Sequence, residues 1–192
     1  MTNILIVDNY DSFTYNLVQA VRDSGNYKID VILNDEVPLC DADNYDGIIL
    51  SPGPGIPSEA GLLKPLIKKY RSTKRIFGVC LGQQAIAEVF GGTLINLSTV
   101  YHGVATPIIL NEPRHYLFEG LPATFEAGRY HSWVVDNNTL PDCLKVEASD
   151  KNGHIMALSH KNFDICSVQF HPESVLTPYG LNIISNWLKM FN

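Results

Sequence analysis

Charge is scarce in this 192-residue sequence. Only 18% of residues are charged, and 14 Lys and Arg face 20 Asp and Glu for a formal net charge of −6. Without a basic stripe there is nothing to neutralise a phosphate backbone, which excludes a nucleic-acid partner. No apolar run reaches the ~18 residues that read as a membrane span. The opening MTNILIVDNYDS lacks a basic n-region and a small-residue cleavage site, so the expected location is the cytoplasm. The four cysteines, Cys40, Cys80, Cys143 and Cys166, have neither the CxxC spacing of a zinc site nor the density of a disulfide scaffold. No pair of histidines has metal-ligand spacing, so no metal and no cofactor are expected. There is no repeat and no linker. What is present is 45% apolar residues, enough for one domain over 1–192 with a substantial core.

The first half alternates strands and helices. Asn3–Val7 is a continuous β-branched run of the kind that is buried on both faces of a parallel sheet. A helix follows over about Phe13–Ser24, capped by Asp11 or Ser12, with Phe13, Leu17, Val18 and Val21 on its stripe and Gly25 as its stop. Ile29–Leu33 and Gly47–Leu50 are further strands. Glu59–Tyr70 reads as a helix, Ile76–Val79 as a strand and Gln83–Phe90 as a helix halted by Gly91-Gly92. The second half changes character. Thr93–Leu97, Val104–Leu110, Thr124–Ala127, Leu144–Ser149, Ile155–Ser159 and Ile165–Phe170 are short β-like runs with little helix between them. A helix over Tyr179–Phe191 closes the chain, with Leu181, Ile184, Trp187, Leu188 and Phe191 on its apolar face. The expected fold is α/β: a mostly parallel central sheet covered by helices on both faces, with added antiparallel strands in the C-terminal half.

Two stretches stand out chemically. Gly78-Val79-Cys80-Leu81-Gly82 sets a thiol at the apex of a strand-turn-helix, with glycines that let backbone crowd in and a helix N-terminus that favours the thiolate. Taken alone, Cys80 reads more readily as a core cysteine at a strand end. Ser51-Pro52-Gly53-Pro54-Gly55-Ile56-Pro57 leaves the C-terminal end of a strand, where open α/β sheets place ligands. It is either a plain turn or a loop whose amides, at Gly53 and Gly55, approach a substrate as an oxyanion hole requires.

A thiol nucleophile needs a base, and the base needs an orienting acceptor. His171-Pro172-Glu173 supplies both: on an extended backbone residues two apart point the same way, so Glu173 reaches one imidazole nitrogen and leaves the other for Cys80. His131, in Arg129-Tyr130-His131-Ser132, is the rival base, but it lacks a carboxylate at comparable spacing.

With these residues in view the chain resembles the class I, triad-type glutamine amidotransferases, nearly end to end. Phe77-Gly78-Val79-Cys80-Leu81-Gly82-Gln83-Gln84 resembles the family's nucleophile motif, Ser51–Pro57 its oxyanion-side loop and Gln169-Phe170-His171-Pro172-Glu173 its His/Glu motif. The opening Asp8-Asn9-Tyr10-Asp11-Ser12-Phe13-Thr14-Tyr15-Asn16-Leu17 and Tyr130-His131-Ser132 are similar to the glutaminase component of anthranilate synthase and aminodeoxychorismate synthase. The resemblance implies a flavodoxin-like fold and a catalytic triad of Cys80, His171 and Glu173. It implies amides of Gly53 and Leu81 at the oxyanion, and Gly55, Gln84, Ser132 and Trp133 around glutamine. The implied partner is a separate chorismate-binding synthase subunit that receives ammonia. Two positions depart from the subgroup, Trp133 for its usual Leu and Val104 for its usual Lys. The competing readings are a glutaminase serving GMP or carbamoyl phosphate synthesis, a non-catalytic regulatory subunit on the same scaffold, and a cysteine peptidase or stress-type thiol protein.

Overall fold

The computed structural model describes residues 1–37, 39 and 41–191; Cys40 lies outside the described residues. Among the described residues, eleven strands and four α-helices follow one another as β1 (Asn3–Asp8), α1 (Thr14–Ser24), β2 (Lys28–Leu33), β3 (Gly47–Leu50), α2 (Leu63–Tyr70), β4 (Arg75–Val79), α3 (Leu81–Val89), β5 (Leu94–Asn96), β6 (Val104–Leu110), β7 (Thr124–Arg129), β8 (Trp133–Val135), β9 (Leu144–Asp150), β10 (Ile155–His160), β11 (Ile165–Val168) and α4 (Gly180–Leu188). Nine strands form one sheet in the order β2-β1-β3-β4-β11-β10-β9-β6-β7. The first five are parallel and the remaining pairs antiparallel. The expected α/β architecture is therefore the observed one. The break in character at midchain marks the switch from crossover helices to hairpins, since only antiparallel neighbours can be joined by short loops.

Strand alternation divides the core. Ile4, Ile6, Ile49, Phe77 and Val79 face α1 and α4, where Leu17, Val18, Val21, Ile183, Ile184, Trp187 and Leu188 pack. Leu5, Val7, Ile48, Leu50 and Ile76 face α2 and α3, meeting Leu63, Leu66, Ile67, Ala85 and Ile86. Helices on both faces explain why the parallel strands read as unbroken apolar runs rather than as alternation. Trp187 is wholly buried against Phe77, with ring centroids 5.8 Å apart.

Several boundaries differ from the sequence expectation. The helix expected over Glu59–Tyr70 is a 3₁₀ turn at Pro57–Glu59 and then α2, divided at Gly61, whose φ of +50° no helix accommodates. α1 has no side-chain cap; Asp11 Oδ1 instead accepts from Phe13 N at 2.8 Å, an Asx turn that precedes the helix. Leu181 is 45% exposed, so the buried stripe of α4 is Ile183, Ile184, Trp187 and Leu188, and Phe191 falls in a 3₁₀ turn after the helix. β5 leaves the main sheet to pair with β8, a strand of three residues too short to register as a periodic run.

Candidate active site

Three adjacent strands, β3, β4 and β11, deliver their C-terminal ends to one place. From β4 the chain enters Cys80 at φ 52°, ψ −102° and starts α3 at the next residue. That is a conformation L-residues rarely hold, and it is kept by its surroundings. Cys80 N donates to Val168 O at 2.8 Å, and Cys80 O accepts from Gln84 N at 3.1 Å. The flanking glycines serve close packing. A Cβ on Gly82 would stand 2.7 Å from Leu50 O, and one on Gly78 would stand 2.7 Å from Ile86 Cδ1 and 2.8 Å from the Gly82 carbonyl carbon. Any larger residue would push α3 off the sheet and carry the thiol with it. Cys80 itself is 5% exposed.

From β11 the chain reaches His171, whose Nδ1 lies 2.7 Å from Glu173 Oε1. The pairing forms in a turn, closed by Ser174 N donating to His171 O at 3.2 Å, and not on the extended strand end that the sequence suggested; β11 already stops at Val168. Burial opposes protonation of His171, but the Glu173 carboxylate and then Cys80 outweigh it, so the imidazole titrates well above its ordinary range. Its Nε2 is buried without a hydrogen-bond partner among the described residues, as is Glu173 Oε2. Phe13 and Tyr130 pack around the ring, with centroids 5.5 and 4.7 Å away, and Tyr130 is itself tied to Ser174 by a 3.0 Å hydroxyl contact.

From β3 comes the Pro/Gly loop. Asn9 holds its start: Asn9 N donates to Ser51 Oγ at 2.9 Å and Asn9 Nδ2 to Ser51 O at 2.7 Å. Gly53 is pressed between Asn9 and Leu81, and a Cβ there would meet Asn9 Cβ at 2.5 Å and Leu81 Cδ2 at 2.7 Å. Leu81 opens α3, so its N–H is among those a helix leaves without an internal acceptor. Gly55, Cys80, Gln84, Ser132 and Trp133 join Gly53 around a cleft of about 220 Å³ that Pro54, Tyr130 and His131 complete. A second cavity of about 380 Å³ meets the first at Cys80, Gly53, Pro54 and Tyr130 and adds Tyr10, Asp11, Ser12, Phe13, Pro52, His102 and His171. Cys80 therefore stands between two spaces, and His171 borders only the second.

His131 borders the first cleft, but both its nitrogens are engaged. Arg129 Nε donates to His131 Nε2 at 3.1 Å, and an arginine only donates, so the ring proton is on Nδ1 and points to Trp133 O at 3.0 Å. Burial and then Arg129 push the His131 pKa down to about 3. A histidine so occupied is not an available base. Arg129 is held in turn by Asp150 at 2.8 Å, both side chains being 1% exposed, and its guanidinium lies 3.6 Å from the Tyr101 ring centre.

Gln84 Nε2 donates to Trp133 O at 3.0 Å and to Gln169 Oε1 at 3.3 Å, leaving Oε1 as the atom of that amide for a ligand. The Ser132 and Trp133 carbonyls each accept from within the protein, so a ligand finds them with lone pairs partly used. Among the described residues no group of three or more His, Cys, Asp or Glu is arranged to hold a metal ion, and no helix is long and apolar enough to cross a membrane. Sequence reasoning did not single out Phe13, Tyr130 or Gln169 as site residues. Gln169 carries no signal of its own beyond its place in the Gln169–Glu173 motif, since its partners Cys80 and Gln84 come from a distant element.

This geometry has relatives. The chain is 44% identical over 189 residues to the anthranilate synthase component 2 of Pyropia yezoensis, covering 97% of this chain and 98% of that one. It is 42% identical over 190 residues to the aminodeoxychorismate/anthranilate synthase component 2 of Bacillus subtilis, covering 98% and 96%. A solved structure from Thermoplasma acidophilum, described as that of a candidate GMP synthase subunit, superposes with a TM-score of 0.88 at 28% identity, covering 99% of this chain and 94% of that one. A family profile, Glutamine amidotransferase class-I, matches residues 5–191. The elbow cysteine and its three-strand site thus sit on a scaffold whose lineage is settled: the chain belongs to the class-I glutamine amidotransferase family.

Proposed function

We propose that this chain is the glutaminase subunit of a chorismate-using synthase: it hydrolyses glutamine through a Cys80 thioester and passes the ammonia to a separate chorismate-binding subunit. The observation that carries the reading is the convergence on Cys80 of the Gly53 loop from β3 and the His171–Glu173 pair from β11. The whole chain, 1–192, is read as a single glutaminase domain.

The chemistry follows from the groups present. The Cys80 thiolate adds to the side-chain amide carbon of glutamine held in the cleft with Gly55, Gln84, Ser132 and Trp133. Charge moves to the amide oxygen, where the N–H groups of Gly53 and Leu81 meet it; donors of this kind are worth about 3 to 4 kcal/mol each. His171 is placed to act as the acid, because the Glu173 carboxylate and Cys80 favour its charged form against burial. Its Nε2 proton goes to the departing nitrogen, the C–N bond breaks and ammonia leaves. The now neutral imidazole takes a proton from water, hydroxide adds to the thioester carbon, and the C–S bond breaks to give glutamate and the thiolate. Glu173, 2.7 Å from Nδ1, fixes the ring throughout.

The two cavities give a direction. Glutamine fits the cleft that lacks His171, and ammonia is formed on the side of His171, in the space that opens past Phe13 toward Tyr10, which is 57% exposed. The synthase subunit is placed over that opening. The relatives named as component 2 favour chorismate over GMP or carbamoyl phosphate as the chemistry served, and the meeting of Cys80 and the His171–Glu173 pair at one cavity disfavours a silent regulatory subunit.

Glutamate release from glutamine, measured with and without a chorismate-binding subunit, tests the proposal. The expected result is release that rises on adding the subunit, with an aminated chorismate product. No release in either condition from folded protein would overturn it.

A further inference from the structure

We propose that Gln169 is a positioning residue for the Cys80 sulfur: its side-chain amide donates N–H···S and holds the nucleophile between His171 and the glutamine cleft. This rests on the glutaminase reading above. Gln169 is fully buried, and its Nε2 lies 3.5 Å from Cys80 Sγ, a length suited to a large, soft acceptor.

The orientation of this amide is dictated by its neighbours. Trp133 O can only accept, so Gln84 must present its NH₂ group there. The same nitrogen faces Gln169, which must therefore offer its oxygen. The Gln169 NH₂ group is left to the sulfur. Turning the amide over would set donor against donor at Gln84 and oxygen against sulfur at Cys80. The buried side chain is thus fixed at both ends, and no described residue other than Cys80 takes its N–H.

The chemistry asks for such a donor twice. Sulfur accepts a hydrogen bond well as a thiolate and poorly as a thioester. An N–H therefore favours the anion that attacks glutamine, and again the anion that leaves when water cleaves the C–S bond. The hydrogen bond also confines the sulfur to one direction, which matters at a site where a misplacement of ~1 Å costs about a hundredfold in rate.

The test replaces Gln169 with Met, which keeps an unbranched chain of similar length and removes the donor. In the complex with the synthase subunit, kcat for glutamine-dependent synthesis is expected to fall about ten- to a hundredfold, the worth of one hydrogen bond to a charged group. The KM for glutamine stays within about threefold and ammonium-driven synthesis is unchanged. Iodoacetamide labelling of Cys80, read from the mass of its peptide in the full chain, slows several-fold. A rise in KM with kcat held would mean that Gln169 only braces Gln84 and the cleft wall, and would overturn the proposal, as would unchanged kcat and labelling. If Gln169→Met loses ammonium-driven synthesis as well, the isosteric Gln169→Glu replaces it under the same criteria. If the wild-type chain releases no glutamate, the glutaminase reading has failed, and the labelling rates alone decide the role of Gln169.

Discussion

Glu173 Oε1 lies 2.7 Å from His171 Nδ1 in a setting where the two side chains are 0% and 3% exposed. A pair so withdrawn from water makes burial oppose the charged imidazole, yet the carboxylate and the Cys80 sulfur reverse that preference. The catalytic reading of His171 depends on that reversal.

Replacing Glu173 with Gln keeps the shape and removes the charge. His171 should then titrate lower, and glutamine-dependent kcat should fall about a hundredfold or more, because the acid and its orientation are lost together. Stability gives an independent check. A histidine whose pKa is raised by folding contributes stability that is complete below the unfolded value of about 6.5 and is lost as pH rises through the folded value. Urea denaturation should show the wild-type advantage over Glu173→Gln largest below about pH 6.5 and shrinking above it. An advantage that grew with pH would contradict the assignment.

His131 runs the opposite way. With its pKa pushed down to about 3, the folded chain holds it neutral while the unfolded chain protonates it near 6.5. Stability is therefore drained as pH falls from about 6.5 toward 3. His131→Phe should flatten that part of the stability curve relative to wild type. Because His131 Nδ1 donates to Trp133 O, the same variant should raise the KM for glutamine more than it lowers kcat. Steady-state kinetics alongside acid titration of the unfolding free energy would check both effects.

Gly53→Ala should separate the oxyanion from the rest of the site. The added methyl would stand 2.5 Å from Asn9 Cβ and 2.8 Å from Asn9 O, distances real Cβ atoms do not keep, so the loop must shift. Loss of one oxyanion donor costs about a hundred- to a thousandfold in kcat. The thiol, the base and the synthase surface remain, so ammonium-driven synthesis in the complex should be spared. A variant with normal glutamine turnover would exclude the Gly53 amide from the reaction.

Much of this was legible in the sequence because it depends on local rules. The parallel half of the sheet announces itself in runs such as Ile4-Leu5-Ile6-Val7, and the elbow at Cys80 in the glycines that flank it. The His171–Glu173 pairing was anticipated from spacing, although a turn and not a strand brings the groups together. What stayed hidden depends on distant partners. Gln169 is an ordinary polar residue until Gln84 fixes its amide, 85 positions away in sequence. His131 is a rival base in the sequence, and only Arg129, anchored by Asp150, removes it by occupying one nitrogen. The α4 stripe was misplaced at Leu181 because the apolar face of the closing helix is broad, and only packing on Phe77 selects the buried part.

Cys80 tests whether strain is retained for function. A non-glycine residue at φ 52°, ψ −102° carries a cost of about 1–3 kcal/mol. Cys80→Ala keeps that cost, and Cys80→Gly relieves it, while glycine loses about 0.5–1 kcal/mol through its freer unfolded chain. The glycine variant should therefore be more stable than the alanine variant by about 1 kcal/mol in urea denaturation, against the usual order of these residues. Both should lose glutamine-dependent synthesis and keep synthesis driven by ammonium, since the acceptor chemistry belongs to the partner. Equal stability of the two variants would mean that the elbow relaxes without its thiol. Retained glutamine dependence in either would place the nucleophile elsewhere.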